Sequence, residues 1–353
     1  MKTYANIKLL DCTLRDGGQG LEIANREHLS ESEFGDLRIK SCIQHLVSSD
    51  IDFVEIGYID NNEFSKHQFS NFHSVEELSQ FIPKRKNPKQ LYLGLFTGPD
   101  MASNAIPEWS ESLVDGLRVI LRYSQLEKSL DFCEMLSRKG YRTFVQPMLT
   151  MRYSDSELEM VIERANLMKA YALYFVDSFG YMQSDDVERL FYFINERLSP
   201  EIYIGFHAHN NLNLAYSNAI KFLDIASERK IIIDSTSTGM GQGAGNLQTE
   251  LILPYLNRKY GKNYNYDELL EVCDLVEPMT TTPQWGYSVS WALPAVYNTA
   301  YKYSMVMRKV MGFSYAKINH VLQNIPSNMR HRYTRENLDN ILKQLETDES
   351  DWY

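Results

Sequence analysis

Eight short runs rich in Val, Ile, Leu, Tyr and Phe recur along the first 235 residues, each followed by a longer stretch with helical periodicity. No other feature of the 353-residue chain restricts its fold as strongly. The candidate strands are Ile7–Thr13, Phe53–Tyr58, Leu91–Phe96, Gly116–Leu121, Arg142–Met148, Leu173–Asp177, Ile202–His207 and Ile231–Ser235. Between them lie amphipathic stretches at Leu37–Ser49, Leu126–Lys139, Asp155–Ala170, Ser184–Arg197 and Leu214–Ser227. Strand alternating with helix implies parallel pairing through right-handed crossovers. Eight such units predict an α/β fold, a closed (β/α)8 TIM barrel ending near Asn257, with an open doubly wound sheet as the competing architecture.

The strand signal stops at about Tyr264. Helices are expected at Asp267–Val276, Val296–Met311, Tyr315–Gln323 and Arg335–Leu345, with Pro278–Gln284 as a linker broken by Pro278 and Pro283. The reading divides the chain into a barrel domain at 1–262 and a smaller all-helical C-terminal domain at 263–353. The stripe Tyr297, Tyr301 and Met305 reads as packing surface rather than a cofactor box. An aromatic-rich tail of this kind exposes apolar surface if left uncovered, so a homo-oligomer is expected.

Lys and Arg total 36 against 46 Asp and Glu, a formal charge of −10, which argues against nucleic acid as the main partner. It leaves room for a small anionic substrate in a local cationic pocket. Cys12, Cys42, Cys133 and Cys273 are scattered without a Cys-x-x-Cys pair, so neither a disulfide scaffold nor a structural zinc site is expected. The N-terminal segment lacks a signal-peptide core, and no apolar run reaches the roughly 18 residues that span a membrane. A cytoplasmic protein without membrane association is expected.

The strongest chemical signal is Gly205-Phe206-His207-Ala208-His209-Asn210-Asn211, where candidate strand seven ends. Side chains alternate along a strand, so His207 and His209 face the same way. At a barrel's C-terminal mouth, where barrel enzymes keep their active sites, two such imidazoles can share one metal ion. A second signal, Asp11-Cys12-Thr13-Leu14-Arg15-Asp16-Gly17-Gly18-Gln19, leaves candidate strand one. One of Arg15 and Asp16, or both after a glycine-permitted bend, must reach the mouth. The carboxylate then completes a two-histidine, one-carboxylate site, and the guanidinium can hold a substrate carboxylate in bidentate fashion. A plain strand-terminal turn with a solvated Arg and Asp is the bland alternative. Alternating glycines in Gly239–Asn246 allow backbone amides near an anion, yet the βαβ unit required by a dinucleotide fingerprint is missing. Glu55 interrupts an apolar strand; if it faces inward it needs a partner, and Arg15 on the adjacent strand is the natural one.

Together, Leu14-Arg15-Asp16-Gly17, Glu55, His207-Ala208-His209-Asn210 and Gly243-Ala244-Gly245-Asn246-Leu247-x-Thr249-Glu250 resemble the DRE-TIM metallolyase superfamily (HMGL-like) over roughly Ile7 to Asn257. Gly286-Tyr287 and the helix after it are similar to the C-terminal region of 4-hydroxy-2-oxovalerate aldolases. The resemblance implies Asp16, His207 and His209 as ligands of a divalent metal, with Asn246 as a fourth. Arg15 would bind a 2-oxo acid and stabilise its enolate, Glu55 would hold Arg15, and Tyr287 would match a pocket tyrosine. Gln146, Asp177 and Ser178, at the ends of candidate strands five and six, are the further expected substrate contacts. Such a mixed site suits Mn²⁺ or Mg²⁺, with Co²⁺ or Zn²⁺ also compatible.

One departure bears on mechanism. The aldolases carry a histidine base three residues beyond the metal-ligand aspartate, and here that place holds Gln19, which cannot titrate near neutral pH. Tyr287, His28 or metal-bound water are the candidate replacements. The implied reaction is metal-dependent aldol cleavage or formation of a 4-hydroxy-2-oxo acid through pyruvate enolate. The alternatives are a Claisen-type transfer from an acyl-CoA to a 2-oxo acid, or a metal-binding barrel with altered chemistry. A non-haem iron oxygenase uses a similar triad but not this order of motifs. The resembled aldolases work with an acylating aldehyde dehydrogenase, a partner on which this sequence is silent.

Overall fold

The structure is a computed structural model that describes residues 6–26, 34–60, 68–83, 88–226, 228–281 and 285–350. Eight parallel strands form the barrel: β1 (Ile7–Asp11), β2 (Phe53–Ile59), β4 (Leu91–Phe96), β5 (Gly116–Leu121), β6 (Arg142–Pro147), β7 (Ala172–Asp177), β8 (Tyr203–Ala208) and β9 (Ile231–Ser235). β1 pairs with β9 on one side and with the start of β2 on the other, so the sheet closes on itself. The two-residue β3 (Asn71–Phe72) pairs with the end of β2, where β1 has already left the sheet. Strands buried on both faces need apolar side chains throughout, which is why these runs read as continuous hydrophobic segments.

Helices α2 (Asp36–Ser48), α4 (Leu126–Arg138), α5 (Asp155–Leu167), α6 (Ser184–Asn195) and α7 (Ala215–Ile225) lie where the periodicity places them. A capping box between Ser154 and Glu157 starts α5. Three further helices had weaker sequence signals: α1 (Gly18–Arg26), the short α3 (Val75–Ser79) and α8 (Thr249–Tyr260).

The barrel interior is layered by the period of two. Leu10, Phe53, Leu93, Phe144, Ala172 and Ile232 form an apolar floor, with the Phe53 and Phe144 rings edge to face at 5.9 Å. One residue pair further along the strands, Glu55, Arg118, Tyr174 and Asp234 form a buried polar layer. His207, Gln146, Ile120 and Val176 come next and open into a cavity. Gly205 makes room for this stack, since a Cβ there would lie 2.3 Å from the Tyr174 ring.

Two expectations about the C-terminal region need correction. The linker at Pro278–Gln284 begins later, because α9 (Tyr266–Thr280) continues through Pro278. Val272, Val276 and Met279 are buried against the barrel cluster and hold that last turn, offsetting the one backbone hydrogen bond that Pro278 cannot donate. Residues 282–284 lie outside the described residues. The helix expected at Val296–Met311 starts later, as α11 (Lys302–Lys309), and a separate α10 (Val289–Val296) precedes it. Asn298 at φ +49° breaks the chain between them, and Thr299 N–H turns back to the Pro294 carbonyl at 2.9 Å.

α11, α12 (Tyr315–Gln323) and α13 (Arg335–Ser350) bury a cluster of their own around Tyr303, Met307, Ile318, Leu322 and Leu338. Phe179, from the loop after β7, packs onto it, so this cluster sits over the C-terminal mouth of the barrel. The aromatic stripe is consumed inside the chain: Tyr297 bonds Asn319 at 2.7 Å, Met305 is buried and Tyr301 faces the cavity. Among the described residues no helix is long and apolar enough to cross a membrane.

Candidate active site

β1 ends at Asp11, and the chain winds into one π-helical turn, Thr13–Gly17, a wide turn that is frequent at functional sites. Asp11 and Thr13 anchor it: Thr13 N–H donates to the Asp11 carboxylate at 3.0 Å, and Thr13 Oγ1 accepts from Ser237 N–H at 2.7 Å. The turn buries both Arg15 and Asp16 at the barrel mouth, so the two side chains do not split between faces as adjacent strand residues would.

Asp16, His207 and His209 converge. Their ligand atoms lie within 4.8 Å of one another, with Asp16 Oδ2 at 3.5 Å from His207 Nε2 and 3.9 Å from His209 Nε2. Each imidazole is oriented through its other nitrogen: His207 Nδ1 lies 2.9 Å from Asp234 Oδ2, and His209 Nδ1 lies 3.0 Å from the Asp177 carbonyl. That second contact fixes which nitrogen faces the centre, as in metal-ligating histidines generally. The glycine loop folds back on β8, with Asn210 N–H on the Gly245 carbonyl at 2.7 Å and Leu247 N–H on the Ala208 carbonyl at 3.1 Å. Gly245 sits at φ +90°, where a Cβ would be 1.8 Å from the Gly239 carbonyl oxygen, so only glycine permits the fold-back. It brings Asn246 to Asp16, to which its amide nitrogen donates, while the buried Asn246 Oδ1 has no hydrogen-bond partner among the described residues.

The anion-binding reading of the glycine loop is not what the structure supports. Its amides are largely spent on protein acceptors: Thr238 N–H on Glu250, Ala244 N–H on Asn211, Gly245 N–H on the Gln242 carbonyl and Asn246 N–H on the Gly239 carbonyl.

Arg15 Nε donates to Glu55 at 2.8 Å and its Nη1 to Asp16 at 2.5 Å. Gln19 accepts from the same Nη1 at 3.3 Å. Fully buried Arg118 bridges Glu55, at 2.9 Å, and Asp234, and its guanidinium lies 4.8 Å from the Tyr174 ring centroid. The contacts close into a ring: Arg15, Glu55, Arg118, Asp234, His207, Asp16 and back to Arg15.

The ring governs protonation. Burial would raise the Asp16 carboxyl, yet Arg15 and His207 outweigh it and hold it well below the usual carboxylate range. Burial likewise opposes ionisation of Asp234, but Arg118 and His207 pull it down. His207 rises despite burial because it bonds both Asp16 and Asp234. His209 drops to about 4 through burial and the neighbouring charge of His207, so it offers a free lone pair at neutral pH.

A cavity of about 200 Å³ opens above the ring. Arg15, Asp16, Gln19, Gln146, Ser178, His207 and His209, all named above as candidates, line it. Asp177 is placed differently. Its carboxylate accepts from the Tyr181 and Met182 amides at 2.8 and 3.1 Å, and it lines only a small adjoining pocket. Tyr287 is 63% exposed and does not line the cavity, because the wall there comes from Tyr301. His28 lies outside the described residues.

Sequence reasoning missed Arg118, Asp234, Phe179, Tyr301 and His331. The first two carried a signal, for each is a charge in an apolar strand, the criterion that singled out Glu55. His331, from the loop between α12 and α13, carried none.

An HMGL-like family model matches residues 120–276. A 4-hydroxy-2-oxovalerate aldolase from Thermomicrobium roseum is 30% identical over 274 residues, covering 76% of this chain and 71% of that protein. The chain belongs to the HMGL-like family of DRE-TIM metallolyases. It is accordingly an aldolase-type lyase. Another relative, an oxaloacetate decarboxylase from Mycobacterium tuberculosis, is 26% identical, with 73% of this chain and 72% of the relative covered. The N-terminal domain of a protein from Bacteroides vulgatus shares the fold at a TM-score of 0.71 and 24% identity, covering 89% of this chain and 99% of that structure.

Proposed function

We propose that the chain cleaves the C3–C4 bond of a 4-hydroxy-2-oxo acid to pyruvate and an aldehyde, at a divalent cation held by Asp16, His207, His209 and Asn246. One observation carries this reading: the buried ring sets two guanidinium charges against three carboxylates, with Nε2 of both imidazoles turned toward Asp16. A bound dication requires both imidazoles neutral; the ring then holds one negative charge in excess, which the ion outweighs, leaving a site for an anionic 2-oxo acid. The donor set fits such an ion: two imidazoles, one carboxylate kept ionised, and an amide oxygen still unpartnered. Mn²⁺ or Mg²⁺ suits these donors, and the ion when bound supplies Lewis-acid polarisation of the substrate carbonyl.

The chain's own residues do the rest. Arg15, immobilised by Glu55, puts preorganised positive charge beside the ligand cluster where enolate charge develops. Gln146 and Ser178 offer hydrogen bonds to the oxo acid, and Ile120, Val176 and Leu149 limit water around it. A cavity of about 200 Å³ is smaller than the usual drug-sized pocket and matches a small oxo acid.

The test is pyruvate release from a panel of 4-hydroxy-2-oxo acids, read by coupled reduction to lactate, with Mn²⁺ or Mg²⁺ against chelator. Cation-dependent pyruvate release is expected. No release from any member of the panel refutes the proposal, and thiol release from an acyl-CoA plus a 2-oxo acid moves the chain to the acyltransferase branch.

A further inference from the structure

An aldol cleavage needs a base for the C4 hydroxyl proton, and the wall of this cavity narrows the choice. Asp16, His207 and His209 belong to the proposed cation site and Arg15 carries a permanent charge. Gln19, Gln146, Gln242 and Ser178 do not titrate near neutral pH, and the Tyr301 phenol is a donor there. Among the described lining residues, His331 is what remains.

His331 is built in place. Its ring stacks on Phe179, with centroids 6.1 Å apart and planes 7° from parallel. The backbone is pinned on both sides of it: the Arg330 carbonyl accepts from Ala300 N–H at 2.8 Å, and the buried Tyr303 hydroxyl spans the Met329 and Arg332 carbonyls at 2.9 and 3.2 Å. Such anchoring is unusual for a surface connection and gives the imidazole a fixed position over the mouth.

We infer that His331, delivered by the C-terminal helical cluster, is the general base and acid of the cleavage, in place of a titratable group at Gln19. This assignment rests on the aldolase reading above. In the forward step the C4 hydroxyl proton passes to the imidazole, the C4–O bond becomes a carbonyl, and the C3–C4 electron pair becomes the enolate. The imidazolium then returns its proton to C3, giving pyruvate, so one group balances the whole reaction. Burial, followed by the charges of Arg152 and Arg330, holds His331 below the ordinary histidine value and keeps it neutral at pH 7. Arg152 reaches it from the loop after β6 and Arg330 from its own loop, Phe179 covers one face, and Arg15, Asp16, His207 and His209 line the same cavity.

The experiment follows deuterium uptake into the pyruvate methyl group by proton NMR, using the full chain loaded with Mg²⁺, with Mn²⁺ affinity measured separately. His331→Gln should lower exchange and cleavage about 10²–10⁴-fold while leaving Mn²⁺ affinity within about threefold. Added imidazole should restore part of the exchange in His331→Ala, a rescue that a merely structural defect would not show. In wild type, exchange should fall at acid pH with a midpoint below 6.5, and that limb should vanish in the variant. Exchange within about threefold of wild type in a folded His331→Gln overturns the assignment. If that variant fails to fold, His331→Asn is read in its place against the same limit. Wild-type protein that binds Mn²⁺ but neither exchanges nor cleaves refutes the aldolase reading itself, and this assignment with it.

Discussion

Removing Arg118 tests whether the buried ring is an electrostatic unit. Its guanidinium is fully buried and is shared by Glu55 and Asp234. Arg118→Met keeps most of the volume and deletes the charge, leaving Asp234 with His207, and Glu55 with Arg15. Breaking one side of a buried ion pair costs about 3–5 kcal/mol, because the orphaned charge keeps its desolvation penalty. Against a typical total of about 5–15 kcal/mol, that is a large fraction.

The sign with pH follows from the same contacts. In wild type the Asp234 carboxyl is lowered, so its contribution is present above the unfolded carboxylate value and is lost as pH falls through the folded one. Without Arg118 the burial of Asp234 is opposed by His207 alone, so its carboxyl rises and the destabilisation grows as pH rises. Urea denaturation in chelator at pH 5.5 and pH 8 should therefore show a deficit of about 3–5 kcal/mol at the higher pH and a smaller one at the lower. A deficit below about 1 kcal/mol, or one identical at both pH values, would show that Asp234 does not depend on Arg118 for its charge.

Three further outcomes are expected. Asp234→Asn should weaken Mn²⁺ affinity about 10–100-fold, since Asp234 orients His207 through Nδ1; calorimetry showing unchanged affinity would remove that role. Arg15→Ala should cost at least about tenfold in turnover of the identified substrate, and full turnover in the variant would leave Arg15 without a catalytic part. Asp11 is raised to about 6, first by burial, so its ionisation weakens the fold as pH rises from the unfolded carboxyl value through 6. Asp11→Asn should therefore gain stability relative to wild type between pH 5 and pH 8, by about 1.4 kcal/mol, and a gain that is flat with pH would contradict the raised value.

The barrel was legible because its determinants are local. Leu91–Phe96, Gly116–Leu121 and Ile231–Ser235 occur as strands with the bounds that their apolar runs suggest. Runs buried on both faces leave little alternative to parallel pairing. The break at Asn298 was hidden because one residue in left-handed backbone is invisible to periodicity. Tyr287 was expected at the pocket by resemblance, but the loop carrying it leaves it exposed.

The sequence by itself determined the alternation of strand and helix, the facing of His207 and His209, and the nearness of Arg15 and Asp16 to a strand end, since each depends on residues within a few positions of one another. Tertiary structure alone decided the rest. Only barrel closure sets Arg118 between Glu55 and Asp234, 63 and 116 positions away. Only the packing of the helical cluster over the mouth brings His331 and Tyr301 to a cavity whose other walls come from the barrel strands and loops. Contacts at such separations follow from the whole chain's burial of its apolar surface, and no local pattern encodes them.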